Sequence, residues 1–388
     1  MKIEQRKWTA AAGWVALAAG TSAKLSQLVL VFGSTEVLQL RHLTDSVRAD
    51  YPAAHIFGCS TAGEICDTRV SDDSLVVTAV HLEHSFFRVA QVDLAETESS
   101  FQAGEWLGQN LPFSIHSEAG VDQKLVHVLV LSDGLKVNGS DFVAGLTGQL
   151  PPNVSVTGGL AGDSARFGET LVFRDGVPRT NTIAVLGLYG DRLKVGYGSL
   201  GGWDPFGPAR RITKSSANIL YELDGQSALG LYKRYLGDHA QELPASGLMF
   251  PLSIRTRAGE PAVVRTILSV DEASQSMTFA GDVPQGAYAR LMKANFDRLI
   301  DGATGAARIS CEALVSGNAQ LALLISCVGR KLVLRQRVEE EVEAVREVLG
   351  SKAVFAGFYS YGEISPFTPG ARCELHNQTM TITTLSEQ

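Results

Sequence analysis

The chain has 388 residues, of which 45% are hydrophobic and 19% are charged, enough for two or three domains that each bury a core. Its 34 basic and 41 acidic residues give a net charge of −7 and form no basic block. Nucleic acid is therefore not expected as a partner, because phosphate binding requires clustered lysine and arginine. No apolar stretch is long enough to predict membrane insertion.

The N-terminal stretch MKIEQRKWTAAAGWVALAAGTSA has a basic start followed by alanine and glycine, a pattern similar to a weak secretory signal. The spacing of Trp14, Leu17 and Leu25 instead favours a short helix beside the first structural unit. The five cysteines have no regular spacing, which favours reduced thiols and a cytoplasmic location over a disulfide framework.

One motif occurs three times along the chain. Residues 58–65 read GCSTAGEI, residues 158–163 read GGLAGD and residues 357–364 read GFYSYGEI, each after a short apolar run. A longer apolar run precedes each copy by roughly 30–36 residues, a period typical of duplicated supersecondary units. We therefore predict an α/β fold of repeated βαβ-type units with mixed sheets, whose two halves form a cleft. Gly58, Gly158 and Gly357 are expected at equivalent strand ends.

Other elements follow in chain order. The turn signals Asp175-Gly176 and Gly190-Asp191 predict consecutive antiparallel strands. A glycine- and proline-rich stretch near 200–216 predicts a boundary between domains 1–215 and 216–388. The second half is predicted to contain helices at 225–235 and 284–300, and strands at 263–270, 277–280 and 378–385. In the third repeat, the spacing of Val338, Val342, Val345 and Leu349 predicts a helix that ends at Gly350.

Ligands of α/β sheets bind at the carboxyl ends of strands, where the repeated motifs are expected. The candidate ligand-binding residues are therefore Cys59, Ser60, Thr61, Gly158, Gly159, Arg330, Tyr361 and Glu363. Arg330 fits either a clamp for an anionic ligand or an ion pair with Glu64 or Glu363. The two glutamates also suit bonding to backbone N–H groups of neighbouring loops.

A set of motifs spans the chain from about residue 25 to its last strand: GCSTAGEI, LVLSDGLKVNG, GGLAGD, YELDGQSALGLYKRYLG, FAGDVPQG, ISCVGR, GFYSYGEI and LHNQTM. Together these motifs resemble the FIST family of bacterial signal-transduction proteins. Gln226-Ser227 departs from the family pattern, where a proline-containing DGxPA is expected. The resemblance implies a FIST N-like sensory half and a FIST C-like half.

The resemblance also implies a sensor that acts through a partner histidine kinase or a cyclic-di-GMP enzyme, since the chain has no kinase, GGDEF or EAL motif. Some family members bind haem and sense nitric oxide, and others are suggested to bind amino-acid-like molecules. Haem b needs only one axial imidazole, and His239 and His376 are the candidates. No CxxCH, CxxC or HExxH motif is present, so haem would be held without covalent attachment and zinc catalysis is poorly supported.

Three functions remain open. The first is a cytoplasmic sensor that acts on a partner and could sense nitric oxide through non-covalently bound haem, and it could also be a homo-oligomer. The second is a haem-free sensor of an amino-acid-like molecule. The third is an enzyme that uses a loop cysteine, Cys59 or Cys327, as an activated thiolate, although no histidine lies beside either in the sequence. We expect sensing rather than catalysis.

Overall fold

The computed structural model describes residues 1–18, 25–116, 120–257, 262–312, 314, 318–367 and 370–388. Up to residue 200 the strands are β1 Lys2–Thr9, β2 Gly13–Ala18, β3 Leu28–Gly33, β4 His55–Ser60, β5 Glu64–Cys66, β6 Arg69–Ser71, β7 Ser74–His81, β8 Phe86–Asp93, β9 Ser114–His116, β10 Asp122–Ser132, β11 Ser155–Leu160, β12 Val172–Arg174, β13 Val177–Arg179, β14 Thr182–Tyr189 and β15 Leu193–Leu200. The α/β fold class is confirmed.

Beyond residue 200 the strands are β16 Asp204–Pro205, β17 Arg210–Ser216, β18 Ile219–Leu223, β19 Gln226–Ser227, β20 Leu252–Arg255, β21 Val263–Arg265, β22 Ile267–Asp271, β23 Ser276–Phe279, β24 Tyr288–Lys293, β25 Leu321–Cys327, β26 Val354–Ser360, β27 Gly362–Pro366, β28 Cys373–His376 and β29 Met380–Glu387. The helices are α1 Thr35–Gln39, α2 Arg41–Asp50, α3 Ser100–Gln109, α4 Gly139–Gln149, α5 Ala228–Leu236, α6 Phe296–Glu312, α7 Val328–Leu334 and α8 Val338–Leu349. Within the described ranges, no helix is both long and apolar enough to cross a membrane.

The predicted repeat is confirmed as three βαβ units. They are β3-α1-α2-β4, β10-α4-β11 and β25-α7-α8-β26, each with a parallel strand pair. An antiparallel third strand, β7, β14 or β29, lies beside the first strand of its unit. Gly58 pairs with Val31, Gly158 with Val130 and Gly357 with Leu324, so the three glycines occupy one equivalent position. They lie inside their strands, which therefore extend further into the motif than predicted.

The three units are joined in a closed ring. The strand that follows each motif leaves its own unit and pairs with the second strand of another: β5 with β26, β27 with β11, and β12 with β4. Period-two alternation explains the core, because Leu28, Leu30 and Phe32 of β3 face the centre, while Val29 and Val31 face the outer helices. Strands that are buried on both faces have continuous apolar sequences, which is why they could be predicted from the sequence.

A fourth sheet is inserted between the second and third units. Its nine strands, β16 to β24, pack with α5 around a separate hydrophobic core. The sequence prediction of one helix at 284–300 was wrong in its first half: Tyr288–Lys293 is a strand with buried Ala289 and Leu291, and α6 begins only at Phe296.

Two other local predictions were wrong. The segment with Trp14 and Leu17 is strand β2 rather than a helix, because it forms a hairpin with β1, in which Trp8 lies opposite Trp14. After the Gly190-Asp191 turn, β15 does not pair with β14 but continues into another sheet beside β29. Tertiary pairing therefore overrides local pattern at both places.

Candidate functional site

A cleft of about 640 Å³ lies between the inserted sheet and the strand ends of the second and third units. The second unit contributes residues 134–139, which follow β10, and the third contributes residues 327–329, at the end of β25 and the start of α7. The opposite wall includes residues 266–268 and 279–282 of the inserted part of the chain. The cleft lies at the carboxyl ends of strands, where α/β proteins bind ligands.

The cleft mouth is unusually apolar for a solvent-facing surface. Leu135, Phe167, Leu268 and Leu332 are large apolar side chains that are exposed, and all four line the cleft. Phe167 stacks on Tyr361, with ring centroids 4.5 Å apart and an angle of 18° between the rings. Clustered apolar exposure of this kind marks a surface that becomes covered by a ligand or a partner.

A few polar groups interrupt these apolar walls. Asn138 donates from Nδ2 to Oδ1 of Asp282 at 3.2 Å, joining the two sides of the cleft. Lys136 is exposed next to Asn138 in the chain, Thr266 lies on the inserted-sheet side, and Asn377 follows β28 on the core side. The hydroxyl of Tyr361 accepts from the backbone N–H of Phe167 at 3.2 Å, which holds the aromatic pair in place. An apolar cavity with a few fixed polar groups is typical of small-molecule sites.

Of the ligand-binding residues predicted from sequence, Tyr361 lines this cleft. The others, Cys59, Ser60, Thr61, Gly158, Gly159, Arg330 and Glu363, are buried, and none of them belongs to the cleft lining. Most of the opposite wall was missed, because it comes from the inserted sheet, which has no relation to the repeat. The feature that marks the cleft is the exposure of Leu268 and Leu332, which the structure shows but the sequence does not.

Arg330 is fully buried and its guanidinium is saturated by protein partners. Nε and Nη2 donate to Oε2 of Glu341 at 3.0 and 2.7 Å, and Nη2 also donates to the carbonyl of Leu299 at 2.7 Å. The expected ion pair therefore exists, but its carboxylate is Glu341 and not Glu64 or Glu363.

Glu64 and Glu363 occupy equivalent positions and bind equivalent partners. Glu64 accepts from the backbone N–H and hydroxyl of Ser74 at 3.1 and 2.6 Å, and Glu363 accepts from the same groups of Thr379 at 3.1 and 2.9 Å. Burial raises the pKa of Glu64 to about 7 and that of Glu363 to about 8. Both glutamates bond a neighbouring loop, the structural role that the sequence left open.

The two candidate cysteines differ in position but share a protonated state. Cys327 lines the cleft, whereas Cys59 lies in the central core. Burial raises the pKa of both thiols. A thiolate nucleophile requires a depressed pKa, so neither environment activates sulfur.

Neither candidate haem ligand lines the cleft. His239 is exposed in the 3-10 turn Gly237–Glu242. His376 is buried, its Nε2 lies 2.7 Å from the carbonyl of Ser365, and the ring of Phe367 packs against it at 4.0 Å. Burial lowers the pKa of His376 to about 4. Haem binding is what the family resemblance implies, and it stays a prediction for both histidines.

Comparison with known proteins gives distant, uncharacterized relatives. An uncharacterized protein of Mycobacterium bovis is 26% identical over 247 residues, which is 60% of this chain and 60% of the relative. An uncharacterized protein of Methanocaldococcus jannaschii is 20% identical over 298 residues, covering 71% of this chain and 56% of the relative. The chain thus spans about 60% of the length of the curated relatives that it matches.

A solved structure of cyanuric acid hydrolase from A. caulinodans aligns with 78% of this chain and 99% of its own chain at 11% identity. Its TM-score of 0.19 is too low to carry an argument about fold or function. The family comparison is more informative, since the FIST N domain matches residues 27–226 and the FIST C domain matches residues 228–366. The chain therefore belongs to the FIST family, whose domains are signal-transduction sensor domains that bind small ligands.

Proposed function

We propose that this protein is a cytoplasmic sensor whose cleft binds a small, amino-acid-like molecule with an apolar body and a polar head. The observation that carries the proposal is the apolar mouth, where exposed Leu135, Leu268 and Leu332 line the same cleft as the Phe167–Tyr361 stack. An apolar ligand that covers these side chains gains roughly 25 cal/mol for each Å² removed from water. Asn138, Asp282 and Thr266 provide bonding for its head.

The proposed output is a change in the contact between the inserted sheet and the three-unit core. The cleft is built from both bodies, so a ligand that binds both walls favours the closed arrangement. The sequence carries no kinase or cyclic-di-GMP motif, and we propose that a partner histidine kinase or cyclic-di-GMP enzyme reads this change. We assign no catalytic step to the cleft, because the thiol of Cys327 is held protonated.

Calorimetric titration with apolar amino acids tests the proposal directly. We expect one binding site, with affinity for phenylalanine or leucine reduced about 10-fold or more by Phe167→Ala, since aromatic contacts contribute substantially to binding. Phe113→Ala is the matched control, because Phe113 is 57% exposed and lies outside the cleft lining. Binding that is unaffected by Phe167→Ala, or absent for every apolar amino acid, would contradict the proposal.

A further inference from the structure

Arg265, the last residue of β21, is a buried cation with no carboxylate partner. It is 5% exposed. Its guanidinium bonds only carbonyl oxygens: Nε donates to Asp282 at 3.2 Å, and Nη1 donates to Leu375 at 2.9 Å and to Val264 at 3.3 Å. Among the described residues, no carboxylate oxygen lies within 4.0 Å of it. Arg330, equally buried, has Glu341 as its counter-charge.

An uncompensated buried charge is costly, because carbonyl dipoles replace only part of its lost hydration. Burial lowers the pKa of Arg265 to about 10, opposed by the more distant carboxylates of Glu374 and Asp282. The guanidinium is therefore still charged at neutral pH. If Arg265 only holds the fold together, the free-energy cost of burying its charge has no explanation. An anion bound nearby would offset that cost.

The wall of the cleft lies directly against this guanidinium. Gly281, Asp282 and Leu375 all line the cleft, and two of them supply the carbonyls that Arg265 binds. At Gly281 a Cβ atom would meet the arginine Nε at 2.8 Å and Cζ at 3.1 Å, and the backbone φ of +121° also favours glycine. Glycine thus allows the charge to approach the cleft wall.

Thr266, the next residue, carries a second unexplained group. It lines the cleft, is 6% exposed, and its Oγ1 is buried without a hydrogen-bond partner. Its backbone N–H donates to Oδ1 of Asn377 at 3.4 Å. Buried hydroxyl groups are normally bonded, so this orphan hydroxyl in the cleft wall indicates a missing hydrogen-bond partner.

We propose that the ligand of this cleft carries a carboxylate, held beside Thr266 and Gly281, where it accepts from the threonine hydroxyl and compensates the charge of Arg265. This inference rests on the proposed function and adds the charge of the head group. Lys136 adds a second cation at this end of the cleft, and the carboxylates of Asp282 and Glu374 oppose a ligand with more than one negative charge. Asp282, already bonded to Asn138, disfavours a more highly charged anion.

The test uses three ligands with the same apolar body: 3-phenylpropanoate, its neutral amide and the cation 3-phenylpropylamine. Calorimetry should give the carboxylate an affinity about 10-fold or more above that of the amide, and weaker binding still for the amine. Arg265→Gln should bring the ratio of carboxylate to amide affinity close to one, whereas Arg290→Gln, on the same sheet but outside the cleft, should leave it unchanged.

Thr266→Val tests the same site without removing a buried charge. It should reduce carboxylate affinity about 10-fold while the melting temperature stays equal or rises, because an unpaired buried hydroxyl is lost. Thr278→Val, on the neighbouring strand β23, is its control. Equal affinities for the amide and the carboxylate would overturn the inference of a carboxylate head group but not the proposed function. A carboxylate-to-amide affinity ratio that is unchanged in Arg265→Gln would do the same. Failure of all three ligands and of the apolar amino acids would overturn the proposed function with it.

Discussion

Arg330 of α7 and Glu341 of α8 form a buried ion pair in which two guanidinium nitrogens donate to one carboxylate oxygen. The other oxygen of Glu341 accepts from the hydroxyl of Tyr359 at 2.6 Å and from that of Ser326 at 3.1 Å. Arg330 also donates to the carbonyl of Gly201, at the start of the inserted segment. The pair therefore joins both strands and both helices of the third unit to the insertion.

Removing either charge of this pair should destabilise the protein strongly. We expect Arg330→Ala to lower the free energy of unfolding by about 3–5 kcal/mol, because it leaves the Glu341 carboxylate buried and unpaired. Urea denaturation measures the change. Arg69→Ala is the control, since the Arg69–Glu339 pair is exposed and is expected to contribute less than about 1 kcal/mol. A small loss for Arg330→Ala, or a ligand affinity that falls without any loss of stability, would contradict this role.

The three equivalent glycines should respond alike to substitution. A Cβ at Gly58, Gly158 or Gly357 would lie 1.9–2.1 Å from a carbonyl oxygen of the paired strand. Alanine there forces the parallel strands apart, and we expect a loss of at least about 2 kcal/mol at each position by urea denaturation. Gly148→Ala in α4 has nothing within 4 Å and should be neutral or slightly stabilising. One tolerant position among the three would contradict their equivalence.

The units could be predicted from sequence because their strands are buried on both faces and their motifs recur. Helix α8 was likewise predicted, since its apolar residues share one face and Gly350, with φ of 75°, ends it. Both signals are local. Each depends only on residues within one element or one repeat.

The cleft and the ion pair could not be predicted in this way. Arg330 lies on α7 and Glu341 lies on α8. Whether the two side chains meet depends on the direction that the chain takes between these helices, which the sequence does not show. The cleft wall at Thr266 and Gly281 depends on how the inserted sheet packs on the core. Its strands carry no motif that relates them to Tyr361 across the cleft.

Stability should depend on pH through Glu64 and Glu363. Their folded-state pKa values, about 7 and about 8, lie above the usual value of 4.5. Between about pH 4.5 and 8 these two carboxyls hold protons in the folded state that they release in the unfolded chain, so their contribution to stability falls as pH rises. The buried histidines His127 and His376, whose pKa values are lowered by burial, contribute in the opposite direction up to about pH 6.5. Each unit of pKa difference corresponds to about 1.4 kcal/mol.

Glu363→Gln should flatten this dependence, since the amide can keep bonds to Ser360 and Thr379 without a titrating proton. Urea denaturation at pH 5 and pH 8 compares the two proteins. We expect the variant to gain stability relative to the original chain at pH 8. An unchanged slope in Glu363→Gln would mean that this carboxyl does not titrate in the window.

The cysteines should react slowly and in a defined order. Cys311 is half-buried, whereas Cys59, Cys66, Cys327 and Cys373 are buried. Alkylation with iodoacetamide at pH 7.5, followed by peptide mass analysis, should modify Cys311 first, because burial keeps the other thiols inaccessible and protonated. Rapid modification of Cys327 in the folded protein would reveal an activated thiolate and would favour the enzyme alternative.

Haem binding tests the nitric-oxide-sensing alternative that the family resemblance implies. The described cleft lining contains no histidine, and His376 has one ring nitrogen bonded to Ser365 and its ring packed against Phe367. We therefore expect titration with haem to give no stoichiometric Soret band, and His239→Ala and His376→Ala to behave like the unmodified chain. A one-to-one complex that binds nitric oxide and disappears in His239→Ala would contradict this expectation. Because His239 is exposed at a turn, its alanine variant should fold normally, so loss of the band would identify an axial ligand directly.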